Sequence, residues 1–341
     1  YMKILLTGGA GFIGSHTAVE LINNGYSPII LDDFRNSNAL IIKNIEKIIG
    51  KKVGFYSVDI GNKIKLREII KKENPIGIIH FAADKSVNES VLNPLKYYKN
   101  NISNLVSIIE LVSEFNINSF VFSSSCTVYG NPIKIPVKET NETQPAFSPY
   151  GYTKQVGERI LTDFCAAREK LSLTLLRYFN PIGAHPSGLI GELPIGVPSN
   201  LLPLITQTAI GKRKKLTIYG NDYETPDGTC IRDYIHVVDL ANAHVLSLKF
   251  SLEKKNYIKT YNVGMGKGSS VLEVINSFEN VNKVAINYDF GARRIGDIPK
   301  IFADIDLIKN EMNWFPKFNL ENSVEHAWNW EKKLMDFKYI S

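Results

Sequence analysis

Apolar and polar residues alternate in two different rhythms along the first half of the chain. Short apolar runs are typical of buried strands, and apolar positions three or four residues apart are typical of helices with one packed face. Strands are predicted at residues 3–6, 28–31, 77–81 and 119–123. Helices are predicted at residues 14–23, 63–72 and 95–115. This alternation predicts an α/β fold with a doubly wound parallel sheet, whose strand carboxyl ends lie along one edge.

The pattern changes near residue 180. Prolines and glycines interrupt every periodic stretch between residues 181 and 203, and long loops in compact proteins often carry function. Further helices are predicted at 237–250, 271–279 and 323–336, and a strand at 260–263. A chain of 341 residues favours two domains. We predict a first domain at 1–180, to which residues 230–250 return, and a smaller, loop-rich C-terminal domain at 181–341.

Composition excludes several classes of protein. The chain is 44% hydrophobic and 22% charged, which argues against disorder, and it lacks the run of about 18 apolar residues that a membrane span needs. The net charge of +6 is too small to indicate nucleic-acid binding, and the basic run at 212–215 is interpreted as a solvated loop. Cys126, Cys165 and Cys230 are too scattered for a disulfide framework or a metal site. The N-terminal residues run directly into a strand pattern without a signal peptide, so we expect a cytoplasmic protein.

A glycine-rich turn joins the first predicted strand to the first predicted helix. Gly9, Gly11 and Gly14 satisfy the G-x-G-x-x-G pattern of dinucleotide sites, and Gly8 precedes them. In that context glycines allow a tight turn and a close approach to a pyrophosphate, which the helix amides then bind. Asp32 ends the second strand eighteen residues after Gly14, where a carboxylate accepts hydrogen bonds from the ribose of NAD. These features predict a Rossmann-type NAD-binding site.

A tyrosine and a lysine four residues apart are the candidate catalytic pair. Tyr150 and Lys154 share one face of a predicted helix, and a neighbouring ammonium is expected to lower the pKa of a phenol from about 10 towards neutrality. Tyr150 would then serve as a general acid or base. Ser125 closes the serine run that follows the strand at 119–123, so its hydroxyl is expected near the same sheet edge. Strand-end capping explains Ser123 and Ser124.

The motifs together resemble those of the extended short-chain dehydrogenase/reductases, and several segments resemble the UDP-glucose 4-epimerases in particular. The resemblance covers nearly the whole chain. Its segments lie at residues 8–14, 123–130, 148–154, 176–185, 220–223, 232–237 and 293–297. It implies a reaction in which tightly bound NAD⁺ transiently oxidises C4 of a UDP-hexose through a 4-keto intermediate. In that reaction Tyr150 exchanges the proton of the 4-hydroxyl, Ser125 holds O4, and Lys154 assists Tyr150.

The resemblance also implies the contacts of each ligand and a homodimer. Cofactor contacts fall on Gly8, Gly11, Phe12, Ile13, Gly14, Asp32, Asp33, Phe34, Arg35, Asn36, Ser37, Asp59, Ile60, Phe81, Ala82, Ala83, Lys85, Asn100, Ser125, Tyr150, Lys154 and Phe179. UDP-sugar contacts fall on Ser125, Tyr150, Asn180, Asn200, Leu201, Leu216, Tyr219, Arg232, Arg294, Asp297 and Ile301. The dimer would pack the helices at 95–115 and 150–164 of two subunits as a bundle. Apolar positions Leu105, Ile108, Ile109 and Val112 suit such a face or burial within one subunit.

Four positions depart from the pattern of the family. Ala83 and Asp84 replace a Gly-Leu pair beside Lys85, and Cys126 replaces a frequent alanine. Ile301 stands where a tyrosine usually blocks an N-acetyl group, which suggests activity on UDP-GlcNAc and UDP-GalNAc as well, or UDP-GlcNAc as the main substrate.

Three other functions are weighed against 4-epimerisation. A nucleotide-sugar 4,6-dehydratase would carry Asp-Glu after Thr127, where this chain has Val128 and Tyr129. A nucleotide-sugar decarboxylase needs a site for a C6 carboxylate, and the epimerase-like segments argue against it. A non-catalytic NAD sensor would not need the Tyr150–Lys154 pair. His80, His185 and His236 are interpreted as structural, and no spacing indicates a metal site.

Overall fold

The computed structural model describes residues 2–294 and 296–336. The strands are β1 (Lys3–Thr7), β2 (Ser27–Asp32), β3 (Gly54–Ser57), β4 (Gly77–His80), β5 (Ser119–Ser123), β6 (Ser172–Tyr178), β7 (Asn180–Ile182), β8 (Leu216–Tyr219), β9 (Ile231–Arg232), β10 (Tyr234–His236), β11 (Ile258–Val263), β12 (Ser269–Ser270), β13 (Tyr288–Gly291) and β14 (Lys300–Ile301). The helices are α1 (Phe12–Asn23), α2 (Leu40–Ile49), α3 (Lys63–Glu73), α4 (Val87–Leu92), α5 (Pro94–Tyr97), α6 (Asn104–Glu114), α7 (Pro149–Ala166), α8 (Leu201–Ala209), α9 (Val237–Glu253), α10 (Val271–Asn282), α11 (Asp306–Met312) and α12 (Leu320–Asp336).

Seven parallel strands form the central sheet in the order β11-β6-β5-β4-β1-β2-β3. The chain runs outward from β1 to β3 and then crosses to β4, so the strand order reverses between β1 and β4. Thr7 pairs with Leu31 on one side and with His80 on the other, which aligns three strand ends at this switch point. Open α/β sheets bind ligands at such points. The predicted fold class is confirmed.

The alternation of side chains along β1 explains the two layers of helices. Ile4 and Leu6 pack in one apolar cluster with α1, α2 and α9, and Leu5 packs in another with α3, α6 and α7. Successive strand residues point to opposite faces, so a strand covered on both faces is apolar throughout. A third cluster joins α8, α10 and α12 to β8 in the C-terminal part. Helix α9 packs on α1 of the first half of the chain. The domain boundary at residue 180 stays a prediction.

The long helix predicted at 95–115 exists in three pieces. Helix α5 passes into a π-helical segment, Tyr98–Ser103, and then into α6. A π-helical turn inserts one extra residue, and such turns are frequent at functional sites. Strand β3 was not predicted because it is a mostly exposed edge strand with few apolar residues. Helix α2 was also missed, although Ile41, Ile42 and Ile45 lie buried at helical spacing and could have revealed it.

The buried histidines hold structural hydrogen bonds. His80 shares one with the Thr7 hydroxyl at 2.7 Å, and His236 accepts from the backbone N–H of Val238 at the start of α9. Burial lowers the pKa of His80 to about 3 and of His236 to about 2, so both are neutral.

Within the described ranges no three His, Cys, Asp or Glu side chains are placed to hold a metal ion. Of the helices that the structure describes, none has the length and apolarity to span a membrane.

Candidate active site

The glycine turn brings the ends of three strands into contact. The Gly8 N–H donates to the carbonyl of Leu31 at 2.7 Å, and Gly8 has a φ of +68°. A Cβ on Gly8 would lie 2.8 Å from the backbone N of Ala82, and one on Gly14 would lie 2.4 Å from the carbonyl oxygen of Gly8. Both positions therefore require glycine. The two glycines thus let the turn pack directly against the backbone after β4 and against the start of α1.

Helix α1 begins at this turn with unshielded amides. Its N-cap is Gly11, its first turn has no acidic residue, and no described side chain caps it. Helix N-termini attract anions because their first N–H groups have no partner within the helix. The N-terminus of α1 therefore fits the diphosphate of a dinucleotide.

Asp32 fixes the turn from the neighbouring strand. Its carboxylate accepts from the backbone N–H of Ala10 and of Phe34, both at 2.9 Å, and from the Ser37 hydroxyl at 2.7 Å. Burial raises the pKa of Asp32, and these three hydrogen bonds oppose the shift. A carboxylate has about four acceptor positions, so Asp32 retains one for a ribose hydroxyl.

Arg35 is already paired with acidic side chains. It forms ion pairs with Asp33 and, at 2.7 Å, with Asp59, and its guanidinium reaches Asn100 at 3.5 Å. An arginine beside the ribose can accept the 2′-phosphate of NADP. Three carboxylates, those of Asp33, Asp59 and Asp84, act on this one guanidinium. The local charge therefore favours NAD over NADP.

The π-helical segment carries two successive asparagines, Asn100 and Asn101, which contact Arg35 and the loop after β4. Asn100 contacts Arg35, and Asn101 forms a reciprocal pair with Asp84, accepting from its N–H and donating to its carbonyl, both at 2.9 Å. Asn101 also donates to the Thr153 hydroxyl at 3.1 Å. The Asp84 side chain is buried, and burial raises its pKa. Although Asp84 departs from the pattern of the family, the backbone of its loop is connected through Asn101 to Thr153 of α7.

Ser125, Tyr150 and Lys154 converge at the carboxyl end of β5. All three are nearly buried, with 6%, 6% and 4% of their surface exposed. Ser148 caps the N-terminus of α7, because its hydroxyl accepts from the N–H of Gly151, and Tyr150 therefore lies in the first turn. Lys154 donates to the carbonyl of Ser123 at 2.7 Å.

Ser125 is oriented as a donor. Its hydroxyl oxygen accepts from the Thr127 N–H at 3.2 Å and from the Thr127 hydroxyl at 3.0 Å. A hydroxyl has two acceptor positions and one proton. Because both acceptor positions face Thr127, the Ser125 proton is free to point to Tyr150 or to a substrate oxygen.

The expected pKa of Tyr150 is wrong for this structure. Burial raises the pKa of Tyr150 to about 12, while hydrogen bonds with the hydroxyls of Ser125 and Tyr178 lower it. The ammonium of Lys154 donates to the Ser123 carbonyl and is not among the groups that lower this pKa. Burial also lowers the pKa of Lys154 itself, to about 8. The site therefore holds Tyr150 as a neutral phenol.

The C-terminal part supplies the two arginines. Arg232 donates to the carbonyls of Ile298 at 2.6 Å and Ile231 at 3.0 Å, and it lies 3.6 Å from Asp297. Arg294 stacks over the ring of Tyr219 at 4.0 Å. Guanidinium groups bind phosphate oxygens in a bidentate manner, so these cations suit a nucleotide diphosphate.

The other candidate substrate residues lie on several elements of the C-terminal part. Ile301 pairs with Arg232 between β14 and β9, and Asn180 is tied by its N–H to the carbonyl of Asp233. Asn200, just before Leu201, donates to Glu192 at 2.6 Å, and Glu192 also binds Lys85 at 3.2 Å. The Leu216 side chain packs in the third apolar cluster. Ile295, in the segment at 293–297, lies outside the described residues.

Sequence reasoning missed several residues around the site. Tyr178 contacts Tyr150 from the end of β6. Asp233 is fully buried and accepts from the N–H groups of Met265 and Ala303. These residues lie next to β12 and β14, the two strands that pair with β9, so Asp233 fixes both neighbours of the strand that carries Arg232. Glu158 lies four residues beyond Lys154, on the same face of α7 as Tyr150 and Lys154. That spacing is visible in the sequence and could have identified Glu158.

The fold and the site define a Rossmann-type dehydrogenase/reductase with a Ser-Tyr-Lys centre. A family model described as GDP-mannose 4,6 dehydratase matches residues 5–327. A UDP-glucose 4-epimerase of Dictyostelium discoideum is 47% identical over 96% of this chain and 95% of its own length. The chain belongs to the extended short-chain dehydrogenase/reductases and, within them, to the UDP-glucose 4-epimerase family.

Two solved structures agree over nearly the whole chain. A UDP-glucose 4-epimerase of Stenotrophomonas maltophila, with bound NAD and formylated UDP-arabinopyranose, superposes with a TM-score of 0.96 at 42% identity and covers 98% of this chain and 99% of its own. One from Bifidobacterium longum, in complex with NAD⁺ and UDP, has a TM-score of 0.94 at 41% identity and covers 97% and 98%. The resemblance inferred from the motifs is confirmed.

Proposed function

We propose that this chain interconverts UDP-glucose and UDP-galactose by transient oxidation at C4. The observation that carries the proposal is the convergence of Ser125, Tyr150 and Lys154 at the strand edge that also carries the glycine turn. The bare N-terminus of α1 and the carboxylate of Asp32 fit NAD. When bound, NAD⁺ supplies the hydride acceptor and a positive charge that favours the phenolate of Tyr150.

The residues of the chain move the proton and hold the sugar. As the phenolate, which the positive charge of NAD⁺ would favour, Tyr150 takes the proton of the 4-hydroxyl as the C4–H bond breaks. As the resulting phenol, it returns that proton after the 4-keto sugar has turned its other face. Ser125 donates its free proton to O4, because Thr127 occupies its acceptor positions. The buried site excludes water, which would otherwise compete for these protons. Arg232 and Arg294 hold the diphosphate while the sugar turns.

Two alternative functions do not match the groups at the site. A 4,6-dehydratase requires acids after Thr127, and the residues there are the buried Val128 and Tyr129. A non-catalytic sensor would have no use for the oriented proton of Ser125 beside Tyr150. The family model described as GDP-mannose 4,6 dehydratase matches a chain whose relatives include UDP-glucose 4-epimerases, so its description does not by itself favour dehydration.

Product analysis without added cofactor tests the proposal. The purified protein is incubated with UDP-glucose, and the UDP-sugars in the mixture are separated by chromatography. Appearance of UDP-galactose without added NAD⁺ is expected, because the cofactor stays bound through the cycle. An unchanged sugar, both with and without added NAD⁺, would contradict the assignment.

We further propose that the chain accepts UDP-GlcNAc in addition to UDP-glucose. Ile301 lies three residues after Ile298, whose carbonyl accepts from Arg232, and it is 5% exposed, with its backbone paired to Arg232. An isoleucine occupies less space than a tyrosine at this strand position. The smaller side chain leaves room over the sugar 2-position for an N-acetyl group.

Replacing Ile301 with tyrosine should remove the second activity selectively. We expect Ile301→Tyr to lower kcat/KM for UDP-GlcNAc by about 10- to 100-fold, because an overfilled pocket costs about 1–3 kcal/mol. The value for UDP-glucose should change less than about threefold, since it lacks the acetyl group. Ile301→Val is the matched control and should keep both activities. Equal losses on both sugars would show that Ile301 does not select the substrate.

We propose that two copies of the chain form a dimer through α4 to α7, and that the dimer acts in the cytoplasm. Leu105, Ile108, Ile109 and Val112 are buried within one subunit, so they are core positions and not the dimer face. The exposed apolar residues of these helices are others. They are Val87, Val91, Leu92, Leu95, Val106 and Tyr152. Free cysteines suit the reducing cytoplasm.

A charge on this surface should separate the subunits. Leu95 is 79% exposed and Leu92 is 78% exposed, and burying one leucine contributes about 1.5–3 kcal/mol. We expect Leu95→Glu to shift the mass measured by light scattering from twice the chain mass to the chain mass. Ile64→Glu, at a 71% exposed position of α3, is the control and should leave the mass unchanged. A dimeric Leu95→Glu variant would place the interface elsewhere.

A further inference from the structure

A buried ion pair lies directly behind the catalytic lysine. Glu158 and Arg177 are 7% and 8% exposed. Arg177 donates through Nε to Oε1 of Glu158 at 3.0 Å and through Nη2 to Oε2 at 2.6 Å, so the pair is bidentate. Its guanidinium also stacks on the Tyr129 ring at 4.8 Å. A buried ion pair is often no more stabilising than apolar residues of the same size. Stability alone therefore does not explain this pair.

Glu158 belongs to the same helix face as the catalytic groups. Tyr150, Lys154 and Glu158 follow one another at four-residue steps along α7. Side chains four residues apart on a helix are neighbours. The carboxylate of Glu158 thus lies one turn from the ammonium of Lys154.

The same carboxylate also holds the serine run. Ser124 donates to Oε1 of Glu158 at 2.5 Å, and Lys154 donates to the carbonyl of Ser123 at 2.7 Å. Two successive residues of the run are therefore tied to α7. Ser125, the third, then presents its hydroxyl beside Tyr150.

The other titratable groups around Lys154 carry no negative charge. His80 on β4 and His244 on α9 interact with Lys154. Tyr150 lies one turn before it on α7, with Tyr178 and Cys126 next to Tyr150. Burial lowers the pKa of His80 to about 3 and of His244 to about 4, and it raises those of both tyrosines and of the cysteine. Among the described groups that act on Lys154, Glu158 is the anion that favours its ammonium.

We propose that Glu158, clamped by Arg177 and Ser124, is a positioning residue for the 4-epimerase reaction. It keeps buried Lys154 charged and holds the serine run so that Ser125 faces Tyr150. The inference rests on the proposed function. It assigns opposite electrostatic effects to Glu158 and Arg177, which a purely structural ion pair would not produce.

The pH profile of kcat/KM for UDP-glucose tests the electrostatic part. Activity that needs the ammonium of Lys154 is lost as the pH rises through its pKa. Glu158→Gln removes the anion and leaves Arg177 charged, so this alkaline limb should move to lower pH by about 0.5–1 unit. Arg177→Gln leaves the anion without its cation, so the limb should move to higher pH. The double variant E158Q/R177Q should return close to the wild-type profile.

A second readout does not depend on activity. The ¹³Cε resonance of Lys154, identified by its loss in Lys154→Arg, should titrate at lower pH in Glu158→Gln and at higher pH in Arg177→Gln. Glu331→Gln is the matched control, because Glu331 is equally buried and binds Lys212 and Thr206 far along the chain. It should lower thermal stability without moving either titration.

Ser124→Ala tests the positioning part, because it keeps both charges. We expect kcat to fall about fivefold, the loss expected for one hydrogen bond, with an unmoved alkaline limb. A wild-type kcat would remove the serine run from the proposal. The electrostatic part would be overturned if the Lys154 titration did not move in folded Glu158→Gln or in folded Arg177→Gln. A shift in the same direction in both variants would also overturn it. Loss of wild-type epimerisation would instead refute the proposed function, since the Lys154 titration is read without turnover.

Discussion

Tyr150→Phe should lose epimerisation almost completely while the fold and the bound cofactor remain. The substitution removes one hydroxyl from a side chain that is 6% exposed and leaves the ring in place. General acid–base catalysis contributes about 10²–10⁴-fold in rate, and Tyr150 is the group proposed to exchange the proton of the 4-hydroxyl. We expect kcat for UDP-glucose to fall by about 10³-fold, measured from the yield of UDP-galactose.

Tyr152 provides the matched control for this experiment. It lies on the same helix two residues further along and is 50% exposed, so it points away from the site. Tyr152→Phe should retain wild-type kcat and wild-type NAD content. If Tyr150→Phe kept more than about a tenth of the wild-type rate, another group would have to carry the proton, and Tyr178 would be the next residue to test.

Features that depend on short spacings could be predicted from the sequence. The glycine turn, the strand-end Asp32 and the Tyr150–Lys154 pair are each defined within one element or one turn, and their geometry follows from helix and strand periodicity. The central strands were also visible, because strands covered on both faces are apolar throughout. The edge strand β3 was not, because most of its residues face solvent.

Features that depend on tertiary neighbours could not be predicted. The pKa of Tyr150 depends on how deeply the fold buries it and on Tyr178, which lies 28 residues further along the chain. Likewise, the apolar positions of α6 suited both a dimer face and a core, and only the packing of α3 and α7 against them decides the question. Local spacing identified the catalytic groups, whereas their protonation needed the assembled site.

Gly14→Ala should separate the chain from its cofactor. A Cβ at this position would lie 2.4 Å from the carbonyl oxygen of Gly8 and 2.8 Å from the Cα of Gly9, and both are backbone atoms that cannot rotate away. Helix α1 would have to move off the turn, and its first amides would leave the place where they bind a diphosphate. Overpacking of this kind costs about 1–3 kcal/mol of unfolding free energy.

The expected readout is the NAD released when the purified protein is denatured. Gly14→Ala should release less than about a tenth of the wild-type amount and should recover activity only with added NAD⁺, because the Ser125–Tyr150–Lys154 centre lies on other elements. Gly11→Ala gives a graded comparison, since its Cβ would lie 3.2 Å from the same carbonyl oxygen, a contact that a small shift relieves. It should therefore keep most of its cofactor. A Gly14→Ala protein with full NAD content would mean that the turn is looser than these contacts imply, and that the amides of α1 contribute little to holding the diphosphate.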